Sequence, residues 1–217
     1  MAKPTTIFSS ILFTRHEEHV NQVLLPDARL RAISRGQALK TAGYNIKRLV
    51  LSPAPRAIAT ALAMCEGYGS ADMPLALEPR IGDFKSDSRT PAGSLKKLKE
   101  LAKKLFGDTE DASLAGALIK TPSLYDFLFQ RAVEGAIALS EMTVANPSDT
   151  ALVTSHGVAR MEIVLRYLRG YRGVDLLDIS NELIPRGQIV RVTFAVTAGV
   201  AEFIFAEPLV LLPEEAR

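Results

Sequence analysis

Three short apolar runs in this chain each end on an arginine or a histidine, and that repeated ending limits the possible folds more than any other feature. Ile7-Phe8-Ser9-Ser10-Ile11-Leu12-Phe13 stops at Thr14-Arg15-His16-Glu17, Leu49-Val50-Leu51 runs into Ser52-Pro53-Ala54-Pro55-Arg56, and Ala151-Leu152-Val153-Thr154 runs into Ser155-His156-Gly157. Runs of β-branched and aromatic residues of this length read as buried strands. Open α/β sheets place their ligand sites at the C-terminal edges of such strands. If the three lie side by side in one parallel sheet, Arg15, His16, Arg56 and His156 converge on one pocket.

Two guanidiniums and two imidazoles around one cavity suit a small dianion. Arginine presents a planar, permanently charged fork that matches phosphate oxygens in paired hydrogen bonds, so phosphate is the expected guest. Positive charge nearby disfavours an imidazolium, and a neutral imidazole held there keeps a lone pair with which to attack phosphorus.

The segments between these strands read as helices. Residues 27–41 form a helical pattern ended by Ala42-Gly43, with glycine in its favoured place past the last turn. Pro55 opens a helix to about residue 65, which puts Arg56 near a helix N-terminus, and residues 75–77 make a short strand. Residues 84–148 read as a helical cap or insert. In it Leu95, Leu98, Ala102 and Leu105 recur at helical spacing among Lys96, Lys97, Lys99, Lys103 and Lys104, and Thr121-Pro122-Ser123 starts a second helix carrying Arg131 to residue 145. The lysines read first as a solvated face and second as a device that gathers phosphorylated substrates. Residues 159–168 give the next helix, residues 188–196 and 201–205 an antiparallel hairpin, and Pro208 and Pro213 a loosely held tail. The expected fold is a single α/β domain over residues 1–217, a three-layer α/β/α sandwich with a mainly parallel central sheet.

The three strand endings resemble the motifs of the histidine phosphatase superfamily, also called phosphoglycerate mutase-like. Thr14-Arg15-His16 is similar to its Arg-His-Gly signature, Ser52-Pro53-Ala54-Pro55-Arg56-Ala57-Ile58-Ala59-Thr60-Ala61 to its Ser-Pro-x-x-Arg-Ala-x-x-Thr-Ala, and Ser155-His156-Gly157 to its second histidine motif. Order and spacing agree, with weaker echoes in Ser34-Arg35-Gly36-Gln37-Ala38 and Asn181. The resemblance implies a phosphohistidine on His16, phosphoryl oxygens held by Arg15, Arg56, His156 and Gly157, and a carboxyl acid from Leu77-Glu78-Pro79-Arg80-Ile81-Gly82-Asp83, with Asp83 first and Glu78 in reserve. The asparagine that commonly follows the family's signature is out of step here, and the resemblance implies that Asn21 or Gln22, both near its place, brings a side-chain amide to the ligand. The chain departs from the pattern at Glu17, where glycine is usual, and at His19, where serine or threonine is common, while Glu18 is the usual residue. Glu17 must point away from the phosphate, pair with an arginine, or weaken the site; His19 reads as a rim residue.

Composition narrows the class further. A chain of 217 residues, 47% of them hydrophobic, buries one core and is short for two domains. A net charge of +2 does not argue for nucleic acid or a membrane surface. Cys65 alone cannot form an intrachain disulfide and reads as a buried, inert thiol; the three histidines lack zinc-cluster spacing. No metal or other cofactor is expected, and the expected location is the cytoplasm. The expected activity is metal-independent hydrolysis of a phosphomonoester, on a small phosphorylated metabolite or a protein bearing phosphohistidine. A phosphoglycerate-type mutase and a phospho-ligand or phosphoprotein-binding domain with little turnover are the alternatives.

Overall fold

A computed structural model describes residues 4–70, 72–83, 89–121, 124–157, 160–176, 179 and 182–211. Six strands form the central sheet. They are β1 (Thr6–Arg15), β4 (Ile46–Leu51), β5 (Leu75–Leu77), β6 (Thr150–Ser155), β7 (Ile189–Thr197) and β8 (Val200–Pro208), in the order β5-β4-β6-β1-β7-β8. The first four in that order are parallel, whereas β7 runs antiparallel to both β1 and β8. The three strands that end in Arg or His motifs are therefore immediate neighbours. A separate hairpin, β2 (His19–Val20) with β3 (Val23–Leu24), follows β1 and has no counterpart in the strand pattern of the sequence. Its turn residues Asn21 and Gln22 both take left-handed backbone angles, with φ of 49° and 71°, conformations that asparagine tolerates better than most residues.

The sheet has two covered faces because successive side chains along a strand point to opposite sides. Leu12, Leu49, Leu51 and Leu152 pack with α1 (Pro26–Thr41) and α2 (Pro55–Tyr68) through Ala32, Leu39, Ala61 and Met64. Their neighbours Ile11, Phe13, Val50 and Val153 face α5 (Tyr125–Ala145) and α6 (Met161–Leu168) through Leu139, Met161 and Val164. This is the three-layer sandwich that the strand and helix alternation predicts. Cys65 is buried, and burial raises its thiol to about 11, in keeping with an inert side chain.

A third apolar cluster lies outside these layers. It joins α3 (Ser94–Phe106) and α4 (Asp111–Ile119) to α5 and α6 through Leu98, Ala102, Ala115, Leu118, Leu128 and Ile163. The amphipathic basic helix is α3, as its spacing predicts. The sequence pattern does not reveal α4: Asp111-Ala112-Ser113-Leu114-Ala115-Gly116-Ala117-Leu118-Ile119 lacks a marked apolar stripe and carries a central glycine. The long cap helix begins at Tyr125; Pro122 and Ser123 lie outside the described residues.

Other boundaries also differ. Helix α2 continues to Tyr68 and is closed by Gly69 at φ 75°, and β8 extends to Pro208. The described part of the tail is docked, not loose: the Leu209 N–H donates to the Ile189 carbonyl at 2.9 Å, and Leu209 and Leu211 pack on the α1–α2 face. Among the described residues no helix is long and apolar enough to cross a membrane.

Candidate active site

Strand register sets the site. Arg15 is paired with Ser155 across β1 and β6, and Leu51 with Thr154 across β4 and β6. The residues that follow, His16, Ser52 and His156, therefore leave the sheet side by side. The ladder continues one step past the strands, with the His16 N–H donating to the Ser155 carbonyl at 3.0 Å and the Ser52 N–H to the Thr154 carbonyl at 2.9 Å. The two imidazoles stand 5.0 Å apart between ring centroids.

Arg56, in the first turn of α2, is the hub. Its Nε donates to His16 Nε2 at 3.0 Å, one Nη to Gln22 Oε1 at 2.7 Å, and the other Nη to His156 Nδ1 at 3.1 Å and to the Asp83 carboxylate. Since a guanidinium only donates, these contacts fix both tautomers. His16 Nδ1 bears the proton and donates to the Glu17 carbonyl at 2.7 Å, leaving a lone pair on Nε2. His156 accepts at Nδ1, so its Nε2–H donates to Ser52 Oγ at 2.6 Å.

Both imidazoles are held neutral. Burial, followed by the charges of Arg56, His19, Arg15 and Arg186, lowers His16 from 6.5 to about 2. Burial also pushes His156 well below the usual histidine value; Asp83 opposes the shift, while His16, Arg56 and Arg160 reinforce it. Arg160 is itself buried, in the turn after Gly157. No motif in the sequence marks it out.

Asp83 reaches the cluster from a loop with its own supports. The 3-10 turn Pro79–Ile81 precedes it, and the Ile81 carbonyl accepts from Ser155 Oγ at 2.7 Å. The cap helix contributes Arg131, whose Nη2 donates to the Pro79 carbonyl at 2.8 Å. Glu78 is committed to this scaffold: it accepts from the Arg80 backbone N–H and from its guanidinium at 2.7 to 2.9 Å. Burial raises the Glu78 carboxyl, and the Arg80 hydrogen bonds together with the charges of Arg80 and Arg131 more than reverse this, so it lies below its ordinary value. Of the two acid candidates, the geometry brings Asp83, not Glu78, to the histidines.

Arg15 occupies a different position from Arg56. Its Nη1 donates to the Ile184 carbonyl at 2.7 Å, and its Nη2 to Asp111 Oδ2 of the cap at 2.6 Å. Gly157 lies flat against this guanidinium, where any Cβ would overlap Arg15 Nε and Cζ. Gln22 is the amide that joins the cluster, whereas Asn21 is exposed at the hairpin turn. Asn181 lies outside the described residues.

Glu17 does not face the phosphate side. It is 1% exposed and turns away from the pocket to pair with Arg35 on α1, with the Arg31 Nε at 3.6 Å. Gly187, at φ 71°, closes over this pair where a side chain would collide with both partners. Thr60 ties the arrangement to the hub, accepting from the Glu17 N–H at 3.0 Å and donating to the Arg56 carbonyl at 2.8 Å. His19 is not confined to the rim: hairpin β2–β3 folds it back so that its ring meets His16 edge-on at 4.8 Å. Ser52 and Thr60 stand within the second motif and Arg35 within the Ser34–Ala38 echo, although its pairing with Glu17 has no local signal; Arg160 and Asp111 enter through tertiary packing alone. Among the described residues no group of three or more His, Cys, Asp or Glu side chains is placed to hold a metal ion.

No protein-family model and no curated sequence matches the chain, but solved structures do. Phosphoglycerate mutase from Bacillus anthracis str. Sterne superposes with a TM-score of 0.59 at 14% identity, covering 92% of each chain. The protein histidine phosphatase SixA, solved with tungstate, gives 0.52 at 14% identity over 96% of this chain and 99% of its own. A mycobacterial glucosyl-3-phosphoglycerate phosphatase gives 0.50 at 12% identity over 91% of this chain and 96% of its own. At these identities the likeness lies in the fold, and it spans nearly the full length of every protein compared. The chain has the phosphoglycerate mutase-like fold shared by histidine phosphatases and mutases.

Proposed function

We propose that this protein hydrolyses phosphomonoesters through a phosphohistidine on His16, without a metal ion. The observation that carries the reading is the state of His16: a neutral ring with its proton parked on Nδ1 and its Nε2 lone pair turned toward the guanidinium hub. Arg56 caps that lone pair. A phosphoryl group entering the cluster gives Arg56 better acceptors, and Nε2 is released to attack.

As Arg56 turns to the phosphoryl oxygens it leaves the Asp83 carboxylate beside a dianion, where Asp83 takes up a proton from solvent. The Nε2 electron pair then forms the N–P bond as the ester P–O bond breaks, and the departing oxygen takes that proton from Asp83. Arg15, Arg56 and the His156 region stabilise the charge on the transferring oxygens. Water then attacks phosphorus, its proton passes to the Asp83 carboxylate, and the N–P electron pair returns to Nε2. Substrates fall into two groups suited to such a pocket: small phosphorylated metabolites, and phosphohistidine on another protein. Solved relatives of the fold include a phosphatase of each kind by name.

The test is hydrolysis of an aryl phosphate in the presence of chelator by the intact chain and by His16→Ala, together with an alkaline quench that preserves phosphohistidine. Chelator-resistant turnover and an alkali-stable, acid-labile label, both lost in His16→Ala, are the expected results. Label without phosphate release would favour the mutase reading, in which a second hydroxyl of the substrate is the acceptor. Neither label nor turnover would favour a phosphate-binding domain.

A further inference from the structure

The cap places a carboxylate on one of the two arginines that the proposed reaction needs. Arg15 is 5% exposed and cannot move far: Gly157 packs along its guanidinium, and the Ile184 carbonyl holds Nη1. Its Nε has no hydrogen-bond partner among the described residues, and its Nη2 is held by Asp111 at 2.6 Å. The two ends of this ion pair differ in freedom. The Arg15 side chain is 6% exposed, while that of Asp111 is 32% exposed. Asp111 can turn toward water without loss of packing, because the residues that anchor α4 to the cap core are Ala115, Ala117 and Leu118.

We propose that Asp111 is a resident competitor for the phosphoryl group, an affinity-determining residue whose carboxylate holds Arg15 until a phosphoryl oxygen displaces it and retakes Arg15 when inorganic phosphate leaves. The inference rests on the phosphate reading of the site. Its chemistry is exchange of one anion for another on a fixed guanidinium: a phosphoryl dianion offers more charge than a carboxylate, and both cannot crowd one fork without mutual repulsion. The same contact makes α4 sensitive to what the pocket holds. When Asp111 lets go, the first turn of α4 loses its polar tie to the sheet edge. When it returns, it helps product phosphate depart.

Competition and support predict opposite signs. If Asp111 competes, Asp111→Asn binds inorganic phosphate about three- to fivefold more tightly than the intact chain, the scale expected for removing a partly exposed ion pair that the ligand must break. If Asp111 serves to orient Arg15, the substitution weakens phosphate binding. Calorimetric titration of both full-length proteins with inorganic phosphate reads this difference without reliance on turnover. Equal or weaker binding by Asp111→Asn, with normal binding by the intact chain, would overturn the proposal and leave the phosphate reading standing. Absence of phosphate binding in both proteins would overturn the two together. Hydrogen exchange on the intact chain needs no variant: phosphate should speed exchange of the α4 amides from Leu114 onward, whose ladder starts with the Leu114 N–H on the Glu110 carbonyl at 2.8 Å. Unchanged or slower exchange there counts against displacement.

Discussion

The sheet edge and the helical cap reach the same cluster of side chains by different physical means. At the sheet edge, side chains are placed by backbone register: His16, Ser52 and His156 leave three paired strands at one level, and both nitrogens of each ring and the Ser52 hydroxyl are hydrogen-bonded. The cap holds together through apolar packing of α3 and α4 on α5 and α6, and among the described residues it meets the arginine pair through the partly exposed Asp111 carboxylate on Arg15. A buried polar network with mutual partners is rigid and costly to break. A cap built on packing, with one ion pair to the site, can be altered without dismantling the chemistry.

The largest effect expected from this contrast is at Arg56. Its guanidinium serves His16, His156, Gln22 and Asp83 together, so Arg56→Ala removes charge stabilisation and also takes an ion-pair partner from the buried Asp83 carboxylate. A loss of kcat/KM of about 10³-fold is expected, the upper part of the range for deleting a transition-state donor. Arg56→Lys should recover little, since an ammonium cannot span four acceptors held around a planar fork. Steady-state kinetics on an aryl phosphate checks both. A loss under tenfold would mean that the sheet-edge network is a scaffold and that the charge is supplied elsewhere.

A smaller effect separates the buried histidines from the rest of the molecule. Folded His16 has its pKa lowered to about 2 and folded His156 is also lowered, whereas both return to about 6.5 when the chain unfolds. The unfolded chain therefore binds more protons below that value, and stability must rise with pH. The contribution is complete above about pH 6.5 and is progressively lost as the pH falls. Each ring adds up to about 1.4 kcal/mol per pH unit in the window below 6. Urea unfolding at pH 7, 6 and 5 should show the slope, and His16→Ala should reduce it by one ring's share. A slope unchanged by the substitution would mean that folded His16 titrates as it does in the unfolded chain, and that burial among the arginines does not hold the ring neutral.

Much of the sheet edge could be read in the chain because its signals are local. A run of Ile, Leu, Val and Phe that ends at Arg-His or Ser-His reports both a strand and the side chains it delivers, and Pro55 before Arg56 announces a helix start. The same reading left Glu17 with three possible fates, because its partners Arg31 and Arg35 lie on the next helix and nothing nearby in sequence points to them. Hairpin β2–β3 was missed since two-residue strands give no periodicity, and with it the approach of His19 to His16. Helix α4 was missed for a related reason: its small residues bury well against α3 yet make no amphipathic stripe. Asp111 was invisible as a site residue because only the placement of that helix brings it to Arg15.

The smallest effect tests whether the cap contributes charge as well as shape. Helix α3 buries Leu98 and Ala102 and exposes Lys96, Lys97, Lys99, Lys103 and Lys104. The ion pair between Lys96 and Glu100 spans 3.9 Å with both side chains open to water, a kind of contact that contributes little to stability. Replacing any one lysine by glutamine should change stability by less than about 0.5 kcal/mol. If the helix gathers phosphorylated substrates, replacing all five should lower kcat/KM about threefold in dilute buffer. That difference should disappear at about 0.5 M salt, where screening confines charges to a few ångströms, and kcat should be unchanged throughout. If kcat/KM is the same for both proteins at every ionic strength, the lysines are a solvated face. Among the described residues, the cap's electrostatic part in the site then rests with Asp111 on Arg15 and Arg131 on the acid loop.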